Sequence, residues 1–490
     1  MNNAMIRYTL GTVIKLESLL LFLPCLVALV YQEKEGLCYL ILAIAGLLLG
    51  ILFTRKKPQN TTIYLKEGCV TTALSWIVLS LFGAIPFLCT GEIPRFTDAL
   101  FETVSGFTTT GASILNNVEA LSHCSLFWRS FTHWIGGMGV LVFLLAVIPM
   151  GGGSNINLMR AESPGPSVGK LVPKLRHTAR ILYVIYIGLT LLLLILLLVG
   201  GMPLFDSLCT AVGTAGTGGF GIKNDSMAGY STYLQWVVTI FMILFGINFN
   251  AYYYILFKEV KKAFSMEEVR TYLLIIILAV AIIAIDIIDM TQGWFDAVTQ
   301  SAFQVSSIVS TTGFATANFD LWPKISQLIL VLLMFSGACA GSTCGGIKLS
   351  RFIIAFKSAL REINSYIHPK SIKKIKFEGK SVEPEVLHSV NVYFITFFLL
   401  FVGSVFLISL EGKDLITNFT AVAATLNNIG PGLSLVGPTC NFSHFTDFSK
   451  WVFIFDMLAG RLELFPILLL FHPALWKDSI KSIRFFKKVK

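Results

Sequence analysis

Ten apolar runs, each long enough to cross a lipid bilayer, limit what this chain can fold into more than any other feature. A membrane-spanning helix needs roughly 20 predominantly apolar residues. Only 13% of the 490 residues are charged, whereas a soluble protein carries about 25%. Because a bilayer offers the backbone no hydrogen-bond partners, we predict an all-α polytopic membrane protein. The runs cover residues 14–31, 37–53, 70–89, 126–150, 180–201, 233–257, 271–289, 325–347, 388–410 and 450–472.

The first run is not expected to be a cleaved signal peptide. Glu17 lies within it, no small-residue cleavage pattern precedes Gln32, and another spanning run follows at once. We therefore expect this run to stay in the mature chain.

The formal net charge of +10 is explained by the topology that ten spans impose. Ten spans place both termini on one side, together with the loops at 54–66, 151–179, 258–270 and 348–386. Because these loops are basic and basic loops face the cytoplasm, we predict a multi-pass protein of the cytoplasmic (inner) membrane with both termini inside. Contact with anionic lipid follows, and no nucleic-acid partner is expected. The basic residues of these loops are Arg55, Lys56, Lys57, Arg160, Lys170, Lys174, Arg176, Lys261, Lys262, Arg270, Lys370, Lys373, Lys374, Lys376 and Lys380.

Residues that could form a metal centre, a disulfide framework or a nucleotide site lack the required spacing. The nine cysteines include no C-x-x-C pair, and the seven histidines include no H-E-x-x-H. The glycine-rich stretch GTAGTGGFG at 213–221 lacks the Lys-Ser/Thr that ends a phosphate-binding loop. Nor do acids, histidines and a nucleophile cluster as a membrane enzyme would require. We expect a protein that is not an enzyme and has no organic or covalent cofactor.

A shorter semi-apolar segment occurs four times between the spanning runs. The copies are FTDALFETVSGFTTTGAS at 96–113, LFDSLCTAVGTAGTGGFG at 204–221, WFDAVTQSAFQVSSIVSTTGFAT from Trp294 and LITNFTAVAATLNNIGPGLS from Leu415. Each begins with polar residues suited to a helix start, runs for ten to fifteen residues and ends in Thr, Ser and Gly. Such a helix is too short to span, so we predict a re-entrant segment whose irregular end is buried or lines water.

Four re-entrant loops that meet on one axis would form a ring of backbone carbonyls, which can replace the hydration shell of a cation. Glycine suits such a ring because it allows a positive φ and brings no Cβ. The partly negative C-terminal ends of the four helices would also favour a cation. The alternative is that these are ordinary glycine-rich surface turns. The repeated glycines are Gly111, Gly219, Gly313 and Gly430.

The expected architecture is four pseudo-repeats of span, re-entrant pore helix and span around a central pore, plus two extra N-terminal spans. The predicted boundaries are 1–66 for the N-terminal two-helix extension, 67–160 for pore repeat 1, 161–262 for repeat 2, 263–370 for repeat 3 and 371–490 for repeat 4.

The run at 325–347 is interrupted by poor helix formers. Unwound backbone at membrane depth should line the pore, although a kinked or closely packed helix is an alternative. The interrupting residues are Gly337, Gly341, Ser342, Thr343, Gly345 and Gly346.

Arg461 is a charge within the last run, where it should face a cavity. A cation below a cation-selective ring would raise a local barrier and help to hold a gate closed. The alternative is an ion pair with Asp456 or Glu463. Near the outer face, Asp98, Asp206, Asp296 and Glu102 could attract cations, although helix capping explains the three aspartates equally well.

The four loops TTGA (from Thr109), TGGF (from Thr217), TTGF (from Thr311) and NIGP (from Asn428) resemble the selectivity-filter loops of the Trk/Ktr/HKT superfamily of potassium transporters. RAESPGP from Arg160, SGACAGSTCGGIK from Ser336 and GRLELF from Gly460 are similar to the TrkH branch, as are the extra spans at 14–53. The resemblance covers essentially the whole chain.

The resemblance implies one potassium site, formed by the four glycines with the carbonyls of the residues just before them. It implies that the loop at 336–348 blocks the pathway until it moves. It also implies a homodimer and a cytoplasmic TrkA-like ring of nucleotide-binding regulatory subunits. Gly218 in place of threonine, and Asn428 with Pro431, depart from the other loops, so selectivity could be less strict. The filter residues implied are Thr109, Thr110, Gly111, Thr217, Gly218, Gly219, Thr311, Thr312, Gly313, Asn428, Ile429 and Gly430.

The sequence therefore predicts potassium uptake across the cytoplasmic membrane through a single filter with a gating loop. One alternative is a sodium- or proton-coupled cation symporter of the same fold. Another is a secondary transporter for an organic solute, which would place broken helices in two related halves.

Overall fold

The structure is a computed structural model that describes residues 1–60, 63–139, 175–369 and 374–475. The second half of the run at 126–150, the RAESPGP motif from Arg160 and the boundary expected at 160/161 lie outside these residues. So do parts of the basic loops and the C-terminal segment 476–490.

The described chain is mostly helical, which confirms the predicted fold class. Its first helices, α1 (Asn3–Leu20), α2 (Phe22–Tyr31) and α3 (Gly36–Thr54), belong to the N-terminal extension. The other long or paired helices are α4 (Leu65–Thr90), α6 (His123–Gly137), α7 (Leu175–Val199), α9 (Thr232–Gly246), α10 (Phe249–Leu256), α11 (Val260–Ser265), α12 (Glu267–Asp286), α14 (Lys324–Phe335), α15 (Leu349–Ile367), α16 (Pro384–Ser409), α18 (Asp447–Arg461) and α19 (Phe465–Leu470).

Each of the four repeated segments forms one short helix. They are α5 (Phe96–Phe107), α8 (Leu204–Gly216), α13 (Trp294–Val309) and α17 (Leu415–Leu426). The aspartates expected as caps lie inside the first turn of α5, α8 and α13, where an acid favours a helix N-terminus, and only Asp414 caps a short helix with its side chain. All four short helices are largely buried, and α5 packs between α4, α6 and α18.

Short connections complete the described chain. An antiparallel hairpin, β1 (Lys376–Phe377) with β2 (Lys380–Ser381), follows α15. The 3-10 turns are Val118–Ala120, Ile288–Met290, Phe319–Leu321 and Ser434–Val436.

Six helical stretches in the described residues are long and apolar enough to cross a membrane, or seven if α9 and α10 form one span. The sequence predicted ten, and the difference has local causes. α9 and α10 meet at an angle of 93°, α14 ends at Phe335 before the glycine-rich stretch, and α18 ends at Arg461. Glu463 and Leu464 then adopt positive φ values of 58° and 68°, which an α-helix does not allow. The run at 126–150 continues beyond the described part of α6.

Polar and apolar residues are distributed as expected for a protein in lipid. Large apolar side chains on the long helices are exposed, such as Leu29, Ile277 and Phe406. Hydroxyl side chains at the ends of the short helices are buried, among them Thr108, Thr110 and Ser310. The centre of the fold is therefore where polar backbone and hydroxyl groups gather.

Candidate functional site

All four short helices end in the same backbone turn. One residue in each turn is left-handed, namely Thr109 (φ 57°), Thr217 (55°), Thr311 (55°) and Asn428 (56°). The next residue donates its N–H to the carbonyl five positions back, as in the Schellman motif, so the helix stops and the chain turns away. These bonds join Thr110 to Ser105 (2.9 Å), Gly218 to Gly213 (3.1 Å), Thr312 to Ser307 (2.8 Å) and Ile429 to Ala424 (2.8 Å).

The repeated glycine follows the left-handed residue by two positions in every loop and has a positive φ. The values are 77° at Gly111, 69° at Gly219, 88° at Gly313 and 98° at Gly430. A Cβ added to each glycine would clash with a carbonyl of another loop. The opposed pairs are Gly111 with Gly218 O, Gly219 with Thr312 O, Gly313 with Ile429 O and Gly430 with Thr110 O.

These four contacts form a closed cycle, because each loop meets the next and the fourth meets the first. We call this arrangement the carbonyl ring, made by the carbonyls of Thr110, Gly218, Thr312 and Ile429 with the four glycines. A side chain at any of the glycines would push a carbonyl out of place. Carbonyls that converge in this way can coordinate a dehydrated monovalent cation.

A cavity of about 210 Å³ lies beside the carbonyl ring and is lined by all four of its glycines. Its other lining residues include Asn116, Asn224 and Asn441, with Arg129 and Lys223 as its charged residues. An ion would therefore meet amide groups before the carbonyl ring.

The outer acidic side chains bind protein groups and are not among the cavity's lining residues. Asp98 pairs with Lys450 at 2.5 Å. The Asp206 carboxylate accepts a bond from the Tyr230 hydroxyl at 2.8 Å, and the Asp296 carboxylate accepts one from the Gln300 amide at 3.4 Å.

Glu102 and Arg129 form a buried ion pair behind the first two loops. Arg129 Nε lies 2.5 Å from Glu102 Oε1, and the two side chains are 3% and 0% exposed. Glu102 also accepts the Ile114 N–H at 3.0 Å, while Arg129 donates to Gly221 O at 2.8 Å. The pair therefore ties the segments that follow the first and second loops to one another.

The helix interruption at 336–348 lies directly beneath the carbonyl ring, and we call it the interrupting loop. Gly345 donates its N–H to Thr311 Oγ1 at 2.8 Å, and a Cβ on Gly345 would lie 2.7 Å from Asn428 Cβ. The loop folds back on itself through Gly337 N–H to Ile347 O at 2.9 Å. Gly341 and Gly346 have positive φ values of 70° and 68°.

The bend between α9 and α10 holds the interrupting loop from the side. Cys339 donates to Gly246 O at 3.1 Å, and Phe249 donates to Gly341 O at 3.0 Å. The Thr343 hydroxyl donates to Phe245 O at 3.3 Å. Two broken helices thus satisfy each other's backbone groups, as non-helical chain inside a membrane requires.

Two charged residues missed by the sequence analysis fasten the ends of the interrupting loop. Lys348 is 1% exposed, and its ammonium group donates to Cys344 O and, at 3.1 Å, to Gly345 O. Glu268 Oε1 accepts the N–H groups of Ala340 at 2.8 Å and of Ser350 at 3.0 Å. Lys348 lies two residues after Gly346, the last glycine of the run, and a charge at that place in an apolar stretch is a signal that the sequence did offer.

Arg461 reaches the interrupting loop from the last broken helix. Its guanidinium donates to Thr343 O at 2.9 Å and to Gly137 O at 2.8 Å, and also to Gly136 O. The two acids considered as its partners have other contacts. Asp456 accepts a bond from the Ser404 hydroxyl at 2.7 Å, and Glu463 pairs with Arg351.

Comparison with known proteins gives one consistent family. The TrkH family profile, described as a cation transport protein, matches residues 38–483. The Trk system potassium uptake protein TrkH of Salmonella typhimurium is 34% identical over 477 residues, covering 96% of this chain and 98% of that protein. TrkG of Escherichia coli is 33% identical over 490 residues, covering 98% and 100%. The crystal structure of the potassium transporter TrkH from Vibrio parahaemolyticus matches with a TM-score of 0.87 at 31% identity, covering 97% of this chain and 100% of that one.

Proposed function

This chain belongs to the TrkH family of cation transport proteins, and from that membership we propose that it takes up potassium ions across the cytoplasmic membrane. The ion passes through a single filter at the carbonyl ring. We also propose that the chain is divided into the N-terminal extension and four repeats at the boundaries expected from the sequence. Potassium is the cargo, and the chain's part is to bind and release it.

The closed cycle of four glycine-to-carbonyl contacts is the observation that carries this proposal. Backbone carbonyls suit potassium because they can replace its hydration shell without a full negative charge, so the ion can also leave. The C-terminal ends of four short helices add partial negative charge at the same place. Relatives over nearly the whole chain are named potassium uptake proteins.

The interrupting loop is proposed to be the gate, and Arg461 is proposed to hold it closed. Three facts support this role: the loop lies beneath the filter, its backbone is irregular, and Arg461 joins it to the end of α6. Movement of the loop requires these polar contacts to exchange together. The gate residues are Gly337, Gly341, Ser342, Thr343, Gly345, Gly346 and Arg461.

The cytoplasmic side is assigned to the basic loops and both termini, in contact with anionic lipid. The chain is proposed to act as a homodimer. On its cytoplasmic side it is proposed to bind a TrkA-like ring of nucleotide-binding subunits, which opens the gate. The support is the family resemblance and the basic inner loop at 348–386. The surface of α15 and the β1–β2 hairpin offers Arg361 and Lys380 for such contacts.

Uptake of labelled potassium or rubidium in a potassium-requiring strain tests the proposal. Expression of this chain should restore uptake, and Gly430→Ala should lower it strongly because a Cβ would lie 2.7 Å from Thr110 O. Gly188→Ala is the matched control, since a Cβ at Gly188 meets no atom within 4 Å. Equal uptake by the two variants, or no uptake by the unaltered chain, would overturn the assignment.

The purified protein in liposomes separates uniport from coupled transport. We expect a potassium gradient alone to drive flux, because the ring is built of carbonyls and no acidic side chain is among the cavity's lining residues. If flux requires an imposed proton or sodium gradient, the sodium- or proton-coupled symporter replaces this proposal. Flux of an organic solute in place of potassium would favour a secondary transporter.

A further inference from the structure

The second loop of the carbonyl ring lacks the side-chain fastening that the first and third loops share. In the first loop, Thr108 and Thr110 bond to each other through their hydroxyls at 2.8 Å. In the third, Ser310 and Thr312 do the same at 2.7 Å. The equivalent residues of the second loop are Gly216 and Gly218, so no hydroxyl pair can form there.

The imidazole of His133 occupies the space beside Gly218, and the backbone of His133 occupies the space beside Gly216. A Cβ on Gly218 would clash with the imidazole ring, and a Cβ on Gly216 would clash with the backbone of His133. His133 is fully buried, and its ring lies 4.3 Å from the Phe220 ring, centroid to centroid. Gly218 could therefore not be a threonine while His133 is present, and Gly216 has no room for a side chain whichever residue stands at 133.

His133 also makes two hydrogen bonds that cross from one loop to the next. Nδ1 lies 2.7 Å from Gly106 O, in the last turn of α5. Nε2 lies 3.2 Å from the Phe220 nitrogen, in the second loop. Because the Phe220 N–H donates, Nε2 must accept, which makes the ring neutral with its proton on Nδ1. The imidazole thus bridges the first short helix and the chain just beyond Gly218 and Gly219.

We propose that His133 is a positioning residue for ion selectivity, which replaces the missing hydroxyl pair and fixes the carbonyl of Gly218 in the ring. This proposal rests on the proposed function, since it concerns the same filter. The Gly218 carbonyl faces Gly111 of the first loop, so His133 sets the spacing between the first two loops. Its two bonds hold both sides of that contact at once.

Substitutions at His133 provide the first test, in purified protein in liposomes. His133→Ala should lower the ratio of potassium to sodium flux by about tenfold, the effect of losing buried hydrogen bonds. His133→Gln can donate and accept in the same places and should retain a ratio within about threefold of the unaltered chain. His388→Ala, at an exposed position on α16, is the matched control and should change nothing.

A rebuilt loop provides the second test and keeps the proposal testable if His133→Ala folds poorly. His133→Ala combined with Gly218→Thr removes the imidazole and places a threonine at the position that Thr110 and Thr312 hold in the first and third loops. We expect this double variant to transport potassium, whereas Gly218→Thr alone should block transport because the imidazole fills the site.

The outcomes distinguish this inference from the proposed function. If the unaltered chain discriminates potassium from sodium and His133→Ala discriminates equally well, the role of His133 is wrong and the filter stands. If Gly218→Thr alone transports normally, the packing argument is also wrong. If the unaltered chain carries no potassium, the proposed function itself fails.

Discussion

A left-handed threonine is an unusual choice, and three of the four loops contain one at the same place. The conformation costs roughly 1–2 kcal/mol for a residue other than glycine, yet Thr109, Thr217 and Thr311 all adopt it. The turn permits two backbone hydrogen bonds, which in the first loop run from Thr109 N–H to Gly106 O and from Thr110 N–H to Ser105 O. These bonds offset the cost. Asn428, at the fourth position, belongs to a residue type that tolerates the conformation better.

Among single residues, the sequence predicted the four repeated glycines and the residues just before them, and it missed the contacts of His133. Gly111, Gly219, Gly313 and Gly430 were found because they recur at matching places in four segments. His133 could not be found in that way, because it lies on α6 and its contacts with Gly106 and Phe220 depend on how the first two loops pack. Such contacts between distant residues leave no repeat in the sequence.

Gly313→Ser should alter the choice between potassium and sodium. The φ of 88° disfavours serine, and its Cβ would displace the carbonyl of Ile429. We expect the ratio of potassium to sodium uptake to fall about tenfold, equivalent to ~1.4 kcal/mol, as measured with labelled ions. Gly188→Ser serves as the control in an open position of α7. An unchanged ratio in Gly313→Ser would rule out the filter assignment.

Glu102→Gln should lower the stability of the folded protein much more than the same change in an exposed ion pair. Removing one partner of a buried pair leaves Arg129 uncompensated, which costs about 3–5 kcal/mol. Glu259→Gln is the matched change in an exposed pair with Lys262, where both side chains are more than half exposed, and should cost about 0.5 kcal/mol or less. Thermal unfolding in detergent measures both, and equal midpoints would show that the buried pair is not a brace.

The broken helices have two kinds of cause: one break is set by the local sequence, and another is set by packing. The glycine run predicted that the helix at 325–347 would be interrupted, and α14 does end at Phe335. The bend at Gly246 and Asn248 was not foreseen, because the stretch at 233–257 is apolar throughout. That bend is stabilised by bonds to Cys339 and Gly341 of the interrupting loop, which only the folded chain brings near.

Weakening the interrupting loop should raise transport in the absence of the regulatory partner. Arg461→Ala removes the contacts to Thr343 O and Gly137 O, and shortening 339–346 removes the obstruction itself. We expect potassium flux through partner-free protein in liposomes to rise at least about tenfold, since each lost bond to a charged group is worth about 1.5–3 kcal/mol. Arg361→Ala, beyond the loop on α15, should leave flux unchanged. Unaltered flux at normal protein levels in both gate variants would argue against a gate here.

For the whole molecule, ten apolar runs correctly indicated a membrane protein, while the described residues contain six regular helices long enough to span, or seven if α9 and α10 form one span. A hydropathy profile detects apolar residues, and it does not detect a bend or a short break in the helix that they form. The bend at Gly246 and the positive φ at Glu463 and Leu464 keep their segments apolar while ending the helices. Glu463 forms its ion pair with Arg351 of another broken helix, so the break depends on tertiary contact.

The orientation of the whole molecule can be tested at Cys440, which is exposed and lines the cavity beside the carbonyl ring. If that cavity opens to the outside, a membrane-impermeant maleimide added to intact cells should label Cys440. The label should slow potassium uptake strongly, because a cavity of about 210 Å³ leaves little room for both the label and a hydrated ion. Cys440→Ser should transport normally and resist the reagent, although exposed Cys89 remains available for labelling. Labelling of Cys440 only in inside-out vesicles would reverse the proposed topology, and equal inhibition of both proteins would place the block elsewhere.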